Sequence, residues 1–194
     1  MAVRRLVLAS ANPHKAAEMT ALLRGTGVKV VPRPAGLADV EETGATLEEN
    51  ARLKAVAVME ATGEAAVADD TGLEVEALGG APGVYSARYA GEGATYEDNV
   101  RKLLAELEGV PLEGRRAQFR TVALVAFPDE PEAISVGVAR GVITTEPRGT
   151  NGFGYDAVFL PDAGQGRTFA EMPPDEKNML SHRAAAFMGL AQLL

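Results

Sequence analysis

The sequence contains no cysteine. A disulfide framework, a zinc–thiolate site and a cysteine nucleophile are therefore excluded. Histidine is scarce: His14 and His182 are the only two, too few for a His-rich metal centre. Positive charge is in deficit, with 19 Lys and Arg against 27 Asp and Glu and a formal net charge of −8. A surface dedicated to nucleic acid needs clustered Lys and Arg, so that class is not expected. A small anionic substrate stays compatible, because local charges set a pocket. No apolar run approaches the ~20 residues of a membrane span. The start "RRLVLASA" mimics a signal peptide. Its uninterrupted apolar run, Leu6 to Ala9, falls short of the roughly 7–15 residues such a segment needs. It reads as a first β-strand, and the protein as cytoplasmic, with no membrane partner. The G-x-S-x-G elbow and the P-loop are also missing.

What remains is a chain of 194 residues, 46% hydrophobic, enough to bury a real core. Arg4 to Ser10 reads as a buried strand. Asn12 is an N-cap with Pro13 at the first helical position. Ala16, Met19, Leu22 and Leu23 give that helix an apolar face, and Gly25 and Gly27 suit its end. Thr46 and Glu49 form a capping box for a helix to about Gly63. Ala65 to Asp70 is the next strand. The Gly-rich stretch 71 to 94 reads as a structured loop with one short hairpin, and Thr95 starts a helix to about Glu108. Arg116 to Arg120, Phe119 to Phe127, Ala133 to Val142 and Ala157 to Leu160 read as strands. "SHRAAAFMGLAQLL" closes the chain as an amphipathic helix, with Ser181 as its cap. Strand–helix pairs followed by a β-rich segment predict an α/β fold. Its mixed sheet is flanked by helices, in two lobes around a central substrate cleft.

Four polar clusters stand out. "SANPHK", Ser10 to Lys15, sits between a strand and a helix, where backbone N–H groups and the helix dipole attract anions. In "EETGATLEENARLKA", Glu41 and Glu42 precede a capped helix on which Asn50 and Lys54 share a face. "VADDTG" ends an apolar strand in two aspartates. Successive strand residues point to opposite faces, so one of Asp69 and Asp70 is expected to be chemical and the other structural. "GTNGFGYDAVF" offers Phe153 and Tyr155 for stacking on a base, and "DEKNMLSHRAA" adds Lys177, His182 and Arg183 as donors. "GFGYDA" fits a loose dinucleotide pattern, but "VFLP" follows it and no helix can start there. Hard carboxylates without cysteine, beside donors for phosphates, point to Mg²⁺ or Mn²⁺.

In this order and spacing the clusters resemble the non-canonical purine nucleoside triphosphate pyrophosphatases, the inosine triphosphatase group. The most specific stretches are "ADDTGLEVEALGGAPGVYSARYAG", "GTNGFGYD" and "EKNMLSHR". The resemblance covers essentially the whole chain. It implies a single domain over residues 1–194, two-lobed and homodimeric, that uses Mg²⁺. It also implies hydrolysis of inosine, deoxyinosine and xanthosine triphosphates to the monophosphate and pyrophosphate. Ser10, Ala11, Asn12, Pro13, His14 and Lys15 match the triphosphate-binding turn. Glu41 matches a metal ligand. Asp70 matches the proton acceptor that also touches the metal, and Thr71 a substrate contact. Phe153, Gly154, Tyr155 and Asp156 match the nucleoside pocket, with Lys177, His182 and Arg183 closing over the base. The chain departs from its relatives at Asn151, where a small residue is common. It departs again at the Pro13–His14 pair, more rigid than Gly-containing versions and expected to leave the backbone donors available. Residue types alone also allow γ-phosphate release, or nucleotide binding without catalysis.

Overall fold

The computed structural model describes residues 4–194. The sheet runs in the order β2–β1–β3–β5–β6–β7: β1 is Arg4–Leu8, β2 Val28–Val31, β3 Ala66–Val75, β5 Arg116–Ala126, β6 Ala133–Ile143 and β7 Phe159–Pro161. The two-residue β4, Pro82–Gly83, pairs antiparallel with β3 and forms the expected short hairpin. β1 is parallel to both β2 and β3, and β7 is antiparallel to β6, so the sheet is mixed as predicted.

The helices are α1 Pro13–Leu23, α2 Leu47–Thr62, α3 Tyr96–Glu106, α4 Pro174–Leu180 and α5 His182–Leu193. Their starts follow local chemistry. The Asn12 side chain accepts from the His14 and Lys15 N–H groups, with Pro13 at the first position. Thr46 and Glu49 form a reciprocal capping box, as do Thr95 and Asp98. Gly63 ends α2 in the left-handed region at φ 69°, where a Cβ would be strained.

The chain divides into two compact units. The first holds the chain up to Asp70, Thr121–Gly137 and Arg183–Leu194. In its core Met19 and Leu23 of α1 and Phe187 and Leu190 of α5 pack on Leu6, Leu8 and Val67. Each such side chain contributes roughly 1.5–3 kcal/mol by leaving water. The second holds Thr71–Arg120 and Val138–His182. Its core gathers Leu73, Leu103, Phe119, Phe159 and Phe169.

Three elements depart from expectation. β3 does not stop at Asp70 but runs on to Val75, because Leu73 and Val75 are buried and the Leu73 N–H donates to Ser86 Oγ at 2.9 Å. "VADDTG" is therefore mid-strand. β2 forms although Lys29 interrupts its apolar run, since β1 supplies a parallel register partner for it. α4 is a short polar helix whose buried residue is Lys177.

Candidate active site

β3 carries the first unit's polar centre. Because strand side chains alternate, Asp69 meets side chains of α1 and α5, while Asp70 meets those of α2. Both aspartates are nearly fully buried, which is costly for a carboxylate without partners.

Asp70 has two partners from α2, one turn apart. Lys54 Nζ donates to its Oδ1 at 2.7 Å, and Asn50 Nδ2 to its Oδ2 at 3.4 Å. Lys54 also donates to Glu42 Oε1 at 2.9 Å, and Asn50 Oδ1 accepts from the Gly44 N–H at 2.8 Å. The acidic loop is thus tied to the same helix face as Asp70. Burial pushes the Asp70 carboxyl above its ordinary range, against the pull of Lys54 and Lys15. Burial opposes the Lys54 ammonium, but Asp70, Asp69 and Glu42 outweigh it and raise its pKa.

Asp69 accepts at Oδ2 from Arg183 Nη2 at 3.0 Å and Nε at 3.2 Å, with Lys15 Nζ at 3.5 Å. Arg183 Nη1 donates to Glu18 Oε2. Burial alone would raise the Asp69 carboxyl, yet Lys15, Arg183 and Lys54 hold it far below the usual range. Burial lowers the Lys15 pKa, partly offset by Asp69.

The turn before α1 differs from expectation in one respect. The N–H groups of His14 and Lys15 already donate to Asn12 Oδ1, at 3.0 and 3.3 Å, and Pro13 has no N–H. The cap takes the donors that were expected to stay available. Ser10 Oγ accepts from the Asn12 N–H at 3.2 Å, which shapes the turn. Ala11, Pro13 and His14 are exposed.

In the second unit, Lys177 is buried with its ammonium 2.6 Å from Asp156 Oδ2. It also lies 4.9 Å from the centroid of the Phe153 ring. Asp156 Oδ2 accepts from the Phe153 N–H too, at 2.9 Å, which folds the Phe153–Asp156 loop on itself. Phe153 is half-buried and lies against Tyr96. Tyr155 is buried and its hydroxyl donates to the Ser86 carbonyl at 2.8 Å. The sequence offered that ring for stacking; its place here is in the core. Gly154 has φ 62°. His182 is buried, stacked on Phe119 with ring centroids 4.4 Å apart. Thr71 is half-buried on β3.

Among the described residues no group of three or more His, Asp or Glu is arranged to hold a metal ion. Glu41 is exposed. Glu42 and Asp70 do converge, on one ammonium. Mg²⁺ is usually held by one or two carboxylates with phosphate oxygens and water completing its shell. Their oxygens are of the hard donor type such an ion takes, and in the structure both face the Lys54 ammonium.

The spacing of Asn50 and Lys54 sets them on one helix face, and their target is Asp70. Glu18 carries no local signal beyond its three-residue spacing from Lys15.

The family model described as the Ham1 family matches residues 6–193. A dITP/XTP pyrophosphatase of Thermoanaerobacter sp. (strain X514) is 50% identical over 188 residues, covering 96% of this chain and 94% of its own. The dITP/XTP pyrophosphatase of Bacillus subtilis (strain 168) is 44% identical, covering 99% and 98%. Among solved structures, a HAM1 protein from Coxiella burnetii superposes with a TM-score of 0.87 at 44% identity, over 98% of both chains. The Staphylococcus aureus Ham1 protein gives 0.85 at 38% identity, over 98% and 97%.

Proposed function

We propose the following reading for this chain, which belongs to the Ham1 family. It hydrolyses the non-canonical purine nucleoside triphosphates dITP, XTP and ITP to the monophosphate and pyrophosphate. The single observation that carries the chemistry is the buried Asp70 carboxylate, held by Lys54 and Asn50.

Lys15 and Ser10 contact the triphosphate, and Lys54 adds positive charge beside Asp70. Water attacks the α-phosphorus: its oxygen bonds to phosphorus as the bond to the α–β bridging oxygen breaks. Pyrophosphate leaves, and the water proton passes to the Asp70 carboxylate. Thr71 contacts the substrate. The family's nucleotide pyrophosphatases are generally metal-dependent. We assign Mg²⁺, with Mn²⁺ as a substitute, to Asp70 and the acidic loop of Glu41 and Glu42. When bound, the ion neutralises phosphate charge.

Phe153 stacks on the purine. Lys177, a donor without acceptor capacity, rewards the C6 carbonyl of hypoxanthine and xanthine over the amino group of adenine. Asp156 holds the Lys177 ammonium in place, and His182 braces the pocket from its stack on Phe119. Arg183 is engaged by Asp69 and Glu18, which favours a supporting role for it over direct contact with the base. The homodimer belongs to the same reading. Light scattering is expected to give twice the 20.3 kDa chain mass.

The test supplies Mg²⁺ with dITP and measures pyrophosphate and orthophosphate separately. Pyrophosphate in a one-to-one ratio with dIMP is expected. Orthophosphate would mean a general phosphohydrolase, and no product would mean a nucleotide-binding protein without catalysis.

A further inference from the structure

Four charged side chains in the first unit form one chain of contacts: Glu18, Arg183, Asp69 and Lys15. Arg183 Nη1 donates to Glu18 Oε2, and its Nη2 and Nε donate to Asp69 Oδ2 at 3.0 and 3.2 Å. The same oxygen lies 3.5 Å from Lys15 Nζ. Arg183 and Asp69 are buried, with side chains 2% and 0% exposed, while Lys15 keeps 18%.

The arrangement is costly. Arg183 is the second residue of α5, where the helix dipole disfavours a cation. An arginine remains charged when buried. Two carboxylates offset both costs. Glu18 sits three residues after Lys15 on α1, so it shares that lysine's helix face. Arg183 therefore ties α1, β3 and α5 together through the carboxylate that also contacts Lys15. The contact of Asp69 with Lys15 is the longer and more exposed one, and its contacts with Arg183 are short and buried.

We propose that Asp69, backed by Arg183 and Glu18, is a positioning residue for Lys15. It presents the ammonium toward the substrate's phosphates and tolerates its release. When Lys15 moves its contact from Asp69 to a phosphate oxygen, Asp69 still has Arg183. No buried carboxylate is stranded, so the shift costs little. Without Arg183 the same movement would strand a buried charge, a loss of the order that breaking a buried pair brings. This inference rests on the reading of Lys15 as a phosphate contact.

The experiment separates the two. Inorganic tripolyphosphate probes the phosphate arm and inosine the base arm, each as an inhibitor of dITP hydrolysis at saturating Mg²⁺. Lys15→Met, Asp69→Asn, Glu18→Gln and the two doubles with Lys15→Met are compared with the unmodified protein. Asp69→Asn is expected to raise the tripolyphosphate inhibition constant and the KM for dITP about tenfold, and Glu18→Gln about threefold. Inosine inhibition should stay unchanged in both. In the Lys15→Met background neither change should have a further effect, because the residue they position is gone.

If Lys15→Met leaves tripolyphosphate inhibition unaltered, the phosphate reading of Lys15 fails. If Lys15→Met weakens it but Asp69→Asn or Glu18→Gln adds its full effect on top, Lys15 keeps its role and the positioning proposal is overturned. A purely structural role would lower kcat and shift both inhibitors alike, and would overturn the proposal. Should Asp69→Asn not fold, Glu18→Gln decides by the same additivity criterion.

Discussion

Lys54 Nζ lies 2.7 Å from Asp70 Oδ1 and 2.9 Å from Glu42 Oε1, so one ammonium serves two carboxylates. Lys54→Met removes the cation and leaves the two negative charges facing each other. We expect kcat/KM for dITP to fall about 10²-fold, in line with the 2–5 kcal/mol scale of stranding one partner of a hydrogen-bonded charge pair. Lys54→Arg should recover only part of that, since a planar guanidinium does not reproduce a compact ammonium. Steady-state kinetics checks this, and activity within threefold of the unmodified protein in Lys54→Met would count against the cluster.

The Lys177–Asp156 pair makes stability and selectivity separable. Asp156→Ala leaves a buried ammonium without its carboxylate, and loss of one partner of a buried pair costs about 3–5 kcal/mol. Replacing both, as Lys177→Met with Asp156→Leu, should restore part of that stability: an apolar pair avoids desolvation, while the Phe153 N–H loses its acceptor. The preference for dITP over dATP should not return. Chemical denaturation and the ratio of kcat/KM for the two nucleotides read the two effects. Retained preference in the double variant would remove Lys177 from base reading.

Gly149 precedes the candidate nucleoside loop at φ +83°, and a Cβ built there would overlap the Ala170 carbonyl. That carbonyl accepts from the N–H groups of Thr150 and Asn151, both at 3.0 Å. Gly149→Ala therefore combines a strained backbone, itself about 1–3 kcal/mol, with a clash against backbone that cannot give way. Destabilisation of about 3 kcal/mol or more is expected in urea unfolding. A change below 1 kcal/mol would show that the loop moves freely.

Asp69 makes part of the protein's stability acid-sensitive. Its folded pKa lies below the unfolded value of about 3.9. The stability it contributes is therefore fully present above about pH 4 and lost as pH falls through the folded pKa. The difference in unfolding free energy between the unmodified protein and Asp69→Asn should be constant from about pH 6 to 5 and narrow as pH drops toward 2. A gap that widens on acidification would reverse the assignment.

The starts of α1, α2 and α3 were legible because they depend on residues a few positions apart. Asn12 with Pro13, Thr46 with Glu49, and Thr95 each start a helix that the structure contains, and Asp98 completes the last cap. Elements that depend on distant partners were not legible. β2 exists because β1 pairs with it, and β3 passes Asp70 because Leu73 and Val75 are buried beyond the Thr71–Gly72 step that reads locally as a turn. The same division holds in the candidate site. The shared face of Asn50 and Lys54 follows from their spacing, and their convergence on Asp70 follows only from the packing of α2 on β3. Arg183 read as a donor over the base. In the structure it donates to Glu18 and Asp69, and no local pattern reports contacts across so much chain.

The most direct test of Asp70 as the proton acceptor is single-turnover hydrolysis of dITP by Asp70→Asn at saturating Mg²⁺, with excess enzyme and pyrophosphate as the readout. The substitution keeps the side-chain shape but can no longer take a proton from water. The rate is expected to fall about 10²–10⁴-fold, the usual contribution of a general base, while the protein stays folded and still binds dITP. Pyrophosphate release at a rate near that of the unmodified protein would contradict the role given to Asp70.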